Sequence, residues 1–502
     1  MKKLSKLALL LLALILFLGF FLRVQETLTG NYLFLLDQGR DLLAVKKIVF
    51  EHRLTLIGPY TSLGGVFQGP LWYYLLAIPT FILRGDPWGS LVLMLIISMT
   101  VLIVVFCFMR KYFGIVPALL TTYLFAISPE AAAAATYSWN PHPVWLIIVL
   151  YIHALYLVVS GRQKTQLLLW PLIGLCFHFQ TAFGVFLLAA TLLYFLVAGR
   201  DLCRTKYFSG GLVLMLVCFI PQIWFELRHN FLMTRSVLKI FAGSNQGLFV
   251  QNESQGYFNL VKSHLFTFLA NFNSAFFQDK FLYYLPRFAL PLMILSTLVF
   301  HQRKLFERRE RILIKITASI VFLIIGLSFF YPFPLRYWFL TGFQSFYLVL
   351  LGLILAKYYS FPKLRIFIYL LILATGLSAL QRLNVLYFNP PDDGGGAKIK
   401  GKLAAIDYIY RDADSKPFSL FIFTPPVNTD AFDYLIWWYG RKKYHYLPNQ
   451  EKKGLFYLLI EPDSARPWTY QGWLETVIVE GKILATQTLP SGLIVQKRYL
   501  SE

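Results

Sequence analysis

Asp37 and Asp41, four residues apart in Leu36-Asp37-Gln38-Gly39-Arg40-Asp41, are the first side chains in this chain with the makings of chemistry. On a helix the i, i+4 spacing puts both carboxylates on one face. A carboxylate there could take the proton of an acceptor hydroxyl or help hold a divalent cation. The same residues would serve equally as the first turn of a helix with a solvated face shared with Arg40. Downstream, Ile57 to Pro70 is dense in glycines and hydroxyls. Its backbone N–H groups could approach a phosphate or a sugar, although locally it reads as a turn-rich connector.

Further clusters follow. Ser128-Pro129-Glu130 precedes five alanines and then Tyr137-Ser138-Trp139-Asn140-Pro141-His142. Glu130 is the only acid there and needs a partner; Asn140 suits a sugar through hydrogen bonds and Trp139 through stacking. His178-Phe179-Gln180 offers a lone histidine, which at a membrane interface is more often structural than catalytic. Tyr331 to Trp338 sets Arg336 among aromatics, where a guanidinium can pair with phosphate. Interfacial anchoring would explain those aromatics, but it explains Arg336 less well. Glu226 and Arg228 read as solvation of a helix end.

These residues need elements to hold them, and composition says what kind. The 502 residues are 57% hydrophobic and 18% aromatic but only 14% charged, with a mean hydropathy of +0.58. A soluble chain carries about 25% charged residues; long uncharged stretches suit lipid. A net charge of +22 does not mark a nucleic-acid binder, because Lys and Arg sit in short clusters between apolar runs. The four cysteines have neither metal-site nor disulfide spacing. The apolar run to Phe21 follows Lys2, Lys3 and Lys6 like a signal peptide. It lacks a small-x-small site before Arg23, so a retained first helix is expected.

Apolar runs predict further helices over Trp88–Met109, from Ile115, Val144–Val159, Leu167–His178, Thr181–Val197, Gly210–Phe225, Leu285–Phe300, Ile312–Phe330, Tyr337–Leu355 and Ile366–Leu380. Every second connection is short and basic, which predicts about eleven spans in the cell inner membrane, with the N-terminus cytoplasmic and the C-terminus outside. The fold class is therefore mainly α, a polytopic transmembrane bundle over residues 1–382. Its exterior loop 22–87 contains an interfacial helix, Gly69 to Leu83, rich in Trp72, Tyr73 and Tyr74. Were that piece a span, the faces of all later helices would invert. A linker at 383–398 and a small exterior α/β domain at 399–502 complete the chain. Within that domain helices are expected at Lys400–Tyr410 and Ala431–Gly440, strands at Phe418–Thr424 and Gly454–Ile460, and a hairpin from Val477–Thr488 and Leu493–Tyr499.

In this order the features resemble the glycosyltransferase-C superfamily, in particular bacterial relatives of protein O-mannosyltransferase and of the lipid A aminoarabinose transferase. The resemblance rests on the early Asp37 in a long exterior loop, the stretch Gly69 to Tyr74, the element Trp139 to Pro141 and the late Arg336 to Trp338. It implies transfer of a sugar from a polyprenyl-phosphate donor to a lipid, glycan or protein acceptor at the outer face. It would make Asp37 the base or a metal-adjacent carboxylate, Glu130 the second acid, and Arg336, with Tyr337 and Arg40, the contacts of the donor phosphate and lipid. Asp41, Trp139, Asn140, His178 and Gln180 are the candidates for sugar or acceptor. Gln68-Gly69-Pro70 stands where the family often has a basic residue. Metal use varies in the superfamily; a divalent cation, if used, would fall to Asp37 and Glu130. A flippase of polyprenyl-linked glycans, or an oligosaccharide polymerase or ligase, is the alternative. A transporter would carry polar residues at mid-membrane and two related halves, and neither is visible.

Overall fold

The computed structural model describes residues 4–242, 256–276, 305–388, 395–425, 427–463, 465–466 and 468–501. The first helix, α1 (Lys6–Thr29), begins where the Ser5 hydroxyl accepts the Ala8 N–H and ends at Gly30, whose φ is +62°. It runs past its expected end at Phe21 because Arg23 does not have to face lipid. The Arg23 guanidinium is 1% exposed and donates to the carbonyls of Gly19, Phe125 and Ala126 and to Ser98 Oγ at 2.7–2.9 Å. Carbonyls at a helix C-terminus carry partial negative charge, so the buried cation is satisfied without a counter-ion.

Two helices on the first long connection come next, α2 (Leu36–Phe50) and α3 (Leu71–Ile82). The bundle continues with α4 (Trp88–Phe113), α5 (Ile115–Ile127), the short α6 (Pro129–Ala133), α7 (Val144–Val159), α8 (Gln166–Phe179) and α9 (Thr181–Ala198). After these come α10 (Arg200–Cys203), α11 (Lys206–Cys218), α12 (Ile220–Arg228), α13 (Leu232–Phe241) and α14 (Tyr257–Ser274). The last helices of the bundle are α15 (Arg308–Ser328), α16 (Gln344–Tyr359) and α17 (Pro362–Phe388). The helix expected at Leu285–Phe300 lies outside the described residues, as do residues 389–394 of the linker expected at 383–398, whose first residues, 383–388, instead continue α17.

Among the described residues, α1, α4, α15 and α17 are long and apolar enough to cross a membrane. The pair α11–α12 makes a fifth if taken as one span bent by 53°. The bend replaces the single helix expected over Gly210–Phe225, and Pro221 in the first turn of α12 accounts for it by lacking an N–H. The helices α5, α7 and α16 are apolar but shorter than the ~20 residues of a square crossing. They are buried along most of their length, so neighbouring helices rather than lipid surround them. The run Tyr337–Leu355 is also divided: Tyr337–Leu340 forms a 3-10 turn and α16 starts only at Gln344.

The C-terminal domain opens with α18 (Ile399–Ala413). A four-stranded sheet follows, from β1 (Ser419–Phe423), β2 (Gly454–Ile460), β3 (Lys482–Thr488) and β4 (Ile494–Leu500), in the order β1-β2-β4-β3. The β1–β2 pair is parallel and the others antiparallel. Between β1 and β2, α19 (Asp430–Leu435) runs into a π-helical stretch, Ile436–Tyr444. A short helix, α20 (Thr469–Trp473), precedes β3. The third strand starts five residues later than expected, because Leu474–Ile478 is still helical and Val479 (φ +57°) then reverses the chain. The core of this domain also takes in Tyr32, Phe34, Leu42 and Leu91 from the N-terminal part.

Candidate active site

The helix α2 is fixed by its own first turn. Gln38 Oε1 accepts the Leu35 N–H at 2.8 Å, and the Gln38 amide donates to the Ser138 carbonyl at 2.7 Å. This ties α2 to the segment between α6 and α7. Asp37 Oδ1 then pairs with Arg40 at 2.8 Å, and Asp37 Oδ2 accepts the Trp139 indole N–H at 3.0 Å. Arg40 also pairs with Asp41 at 2.7 Å and lies 4.7 Å over the Tyr60 ring. The second oxygen of Asp41 accepts the Trp72 indole N–H at 2.7 Å.

The two carboxylates share a face, as their spacing requires, but not an environment. Asp41 is 2% exposed with both oxygens engaged, whereas the Asp37 side chain is 38% exposed. Burial pushes the Asp41 carboxyl up to about 6, against the pull of Arg40 and of the Trp72 N–H. Burial alone would weaken the hold of Arg40 on its proton. Asp41 and Asp37 outweigh that and keep its pKa above the usual range.

Glu130 stands in the first turn of α6, which the Ser128 hydroxyl caps by accepting the Ala131 N–H. Its side chain reaches solvent, yet apolar surroundings hold its carboxyl above the ordinary range. Among the described residues its carboxylate has no hydrogen-bond or ion-pair partner. The Tyr137 phenol is held high by burial first, then by the charges of Tyr337, Glu130 and Asp37. Tyr337, 70% exposed, responds to burial, Glu130 and Asp37 in the same way. The fold therefore brings Asp37, Glu130, Tyr137, Trp139 and Tyr337 into one neighbourhood. Below them His142 donates from Nδ1 to the Tyr137 carbonyl at 3.1 Å, and its ring centroid lies 4.6 Å from that of Tyr137 and 5.6 Å from that of Trp139. Burial brings its pKa down to about 3, so the ring stays neutral.

Other candidates are placed between loops. Asn140 donates to the Phe179 carbonyl at 2.7 Å and Gln180 to the Trp338 carbonyl at 2.8 Å. His178 accepts the Leu71 N–H at Nδ1 (3.3 Å) and donates from Nε2 to the Cys218 carbonyl (2.8 Å). All three are buried. Gln180 thereby fixes the 3-10 turn that presents Tyr337, and Arg336, just before it, lies 5.9 Å over the Trp338 ring. Trp72, Tyr137 and Gln38 are not among the site candidates of the sequence, where Trp72 reads only as an interfacial aromatic. Trp72 had a usable signal: an indole is a donor only, so once buried it requires an acceptor. Among the described residues no three His, Cys, Asp or Glu side chains group as metal ligands, and Asp37 already shares its oxygens with Arg40 and Trp139.

An apolar helical bundle with acids, an arginine and indoles gathered on short helices at one end is an arrangement shared with solved proteins. Residues 68–225 match the family described as dolichyl-phosphate-mannose-protein mannosyltransferase. The whole chain is similar in fold to ArnT from Cupriavidus metallidurans bound to undecaprenyl phosphate, with a TM-score of 0.61 at 12% identity over 99% of this chain and 98% of that one. The apo state of the same protein gives 0.59 at 12% identity over 97% of each chain. An oligosaccharyltransferase of Archaeoglobus fulgidus tethered with an acceptor peptide gives 0.50 at 12% identity over 89% of this chain and 64% of that one. No curated protein matches the chain. Residues 68–225 are thus similar to the mannosyltransferase family, and the chain as a whole shares the fold of ArnT.

Proposed function

We propose that this protein transfers a sugar from a polyprenyl-phosphate donor to an acceptor at the outer face of the cell inner membrane. The observation that carries the reading is the meeting of Asp37, Glu130, Tyr137, Trp139 and Tyr337 at one end of the bundle. Asp37 is the accessible carboxylate of its pair. It takes the proton of the acceptor hydroxyl as that oxygen attacks the anomeric carbon, and the polyprenyl phosphate leaves with the electron pair of the broken bond. Glu130, which has a raised affinity for protons and no cation paired with it among the described residues, is the second carboxylate. The Trp139 N–H is taken by Asp37, which leaves its ring face for a sugar.

Arg336 and Tyr337 border the site on the donor side, where the leaving phosphate needs a cation. Arg40, held between two acids, orients Asp37, while Asp41, Asn140, His178 and Gln180 hold the loops in place. The undecaprenyl phosphate bound to ArnT, one of the fold neighbours, supports a lipid-phosphate donor. The exposed Ile78, Phe81 and Ile82 support α3 as a helix lying in the outer interface. The basic clusters Arg110-Lys111, in the last turn of α4, and Arg162 to Lys164, just past α7, support a cytoplasmic N-terminus and an exterior C-terminal domain. A comparison of lipid extracts from a deletion strain and its parent tests this reading. A glycan lacking one sugar is expected; accumulation of a complete lipid-linked glycan would overturn it in favour of a flippase or ligase.

A further inference from the structure

The helix that carries Asp37 is packed on two opposite sides. At 3.6 residues per turn, Asp37, Asp41, Ala44 and Ile48 fall on one side of α2, and Gly39, Leu43, Lys46 and Phe50 on the other. Contacts follow that division. Ala44, Val45, Ile48 and Val49 pack on the bundle core, whereas Leu42 and Leu43 belong to the core of the C-terminal domain. Lys46 lies 5.2 Å over the Trp437 ring, and the Phe50 ring sits 5.2 Å from it. The segment leading into α2 is fastened to the same domain: the Phe34 N–H donates to the Ala397 carbonyl at 3.1 Å, and the Ile399 N–H donates to the Tyr32 carbonyl at 3.0 Å. Beyond α3, Tyr434 donates to the Gly85 carbonyl at 2.7 Å and Lys442 pairs with Asp86 at 3.1 Å.

Gly39 marks a close approach of backbone to backbone. A Cβ at this position would fall on backbone atoms of Asp430 and Ala431, at the start of α19. No flexible side chain stands there to yield, so any larger residue must push α2 and α19 apart. We propose that the C-terminal domain is a splint for α2, seated backbone to backbone at Gly39, and that Gly39 is thereby a positioning residue for Asp37. The proposal rests on the catalytic reading of Asp37. An isolated helix of this length is marginal in water, and a displacement of about 1 Å costs roughly 100-fold in rate. The domain therefore acts on turnover without touching substrate.

The test uses the full-length protein with Gly39→Ala, Trp437→Ala and both together. Gly472→Ala is the control, a helical glycine with open space around it. Amide exchange of α2 and transfer from a polyprenyl-phosphate sugar are read in parallel. Gly39→Ala and Trp437→Ala should each speed exchange along α2 about tenfold. Each should lower kcat about tenfold or more while the donor KM stays within about twofold. The double variant should fall little below Gly39→Ala alone, because both unseat one interface, and Gly472→Ala should match the wild type. Unchanged exchange in α2 overturns the splint, as does a loss carried by donor KM. If Gly39→Ala does not fold, Trp437→Ala decides on the same readouts. If the wild type transfers no sugar, exchange still judges the splint and only the functional reading falls.

Discussion

Two arginines at the same end of the bundle, one buried and one half-buried, show what this fold does with charge. Arg23 lies inside α1 and donates only to carbonyls and Ser98, and Arg382 adds a second guanidinium at the end of α5 by donating to the Ile127 carbonyl at 2.7 Å. Together they cap α5 just before Ser128 and Glu130. A cavity of about 10 Å³ beside Arg23, Ser98 and His142 has room for a single water. Arg40, by contrast, lies among two carboxylates and a tyrosine ring, with Asp37 left open to solvent. A cation satisfied by backbone fixes helices against one another. A cation set between acids fixes a carboxylate instead, and leaves it reachable.

Substitutions at the two places should separate these roles. The largest effect belongs to Asp37→Asn, which should lower transfer by about 10³-fold, within the range of a lost general base. Thermal unfolding in detergent should move little; undiminished turnover would remove Asp37 from the mechanism. Arg23→Met should do the reverse. Three carbonyls and a hydroxyl lose their donor, at a cost of about 3 kcal/mol in stability, measured as a lowered Tm, whereas per-molecule turnover in the folded fraction persists.

Asp41 comes next and carries a sign. Its folded pKa, about 6, lies above the ordinary carboxylate value of about 3.9. The folded state therefore binds the extra proton between about pH 4 and pH 6. This residue's contribution to stability should decline as pH rises through that window, opposite to ordinary acid denaturation. Asp41→Asn should abolish that component, and an identical pH–stability profile in the variant would break the assignment. The smallest effect is Trp139→Phe, which keeps the ring and loses the 3.0 Å donation to Asp37. A charged hydrogen bond of this kind is worth about 1.5 kcal/mol, so roughly a tenfold fall in kcat is expected.

Much of the fold was legible because lipid and water impose long, simple patterns. Apolar length set α1, α4, α15 and α17, and the C-terminal strands β1, β2 and β4 lie within a residue or so of their sequence positions. The turn at Gly492, with φ +81°, closes the hairpin as its residues require. Errors arose where a distant partner changed a residue's cost. Arg23 reads as a helix end until α5 supplies carbonyls, and Trp72 reads as a headgroup anchor until Asp41 supplies an acceptor.

The site divides in the same way. From sequence alone come the carboxylate pair on one face of α2 and the presence of Glu130, Trp139 and Arg336 in separate loops, because helical period and loop composition are local properties. Only the tertiary structure decided that Asp37 is the accessible acid and Asp41 the buried one. Burial depends on Trp72, Trp139 and Tyr60, which lie 19 to 102 residues away in the chain. It also decided why the residue between them is glycine: the backbone of the C-terminal domain comes to rest on it, almost four hundred residues downstream.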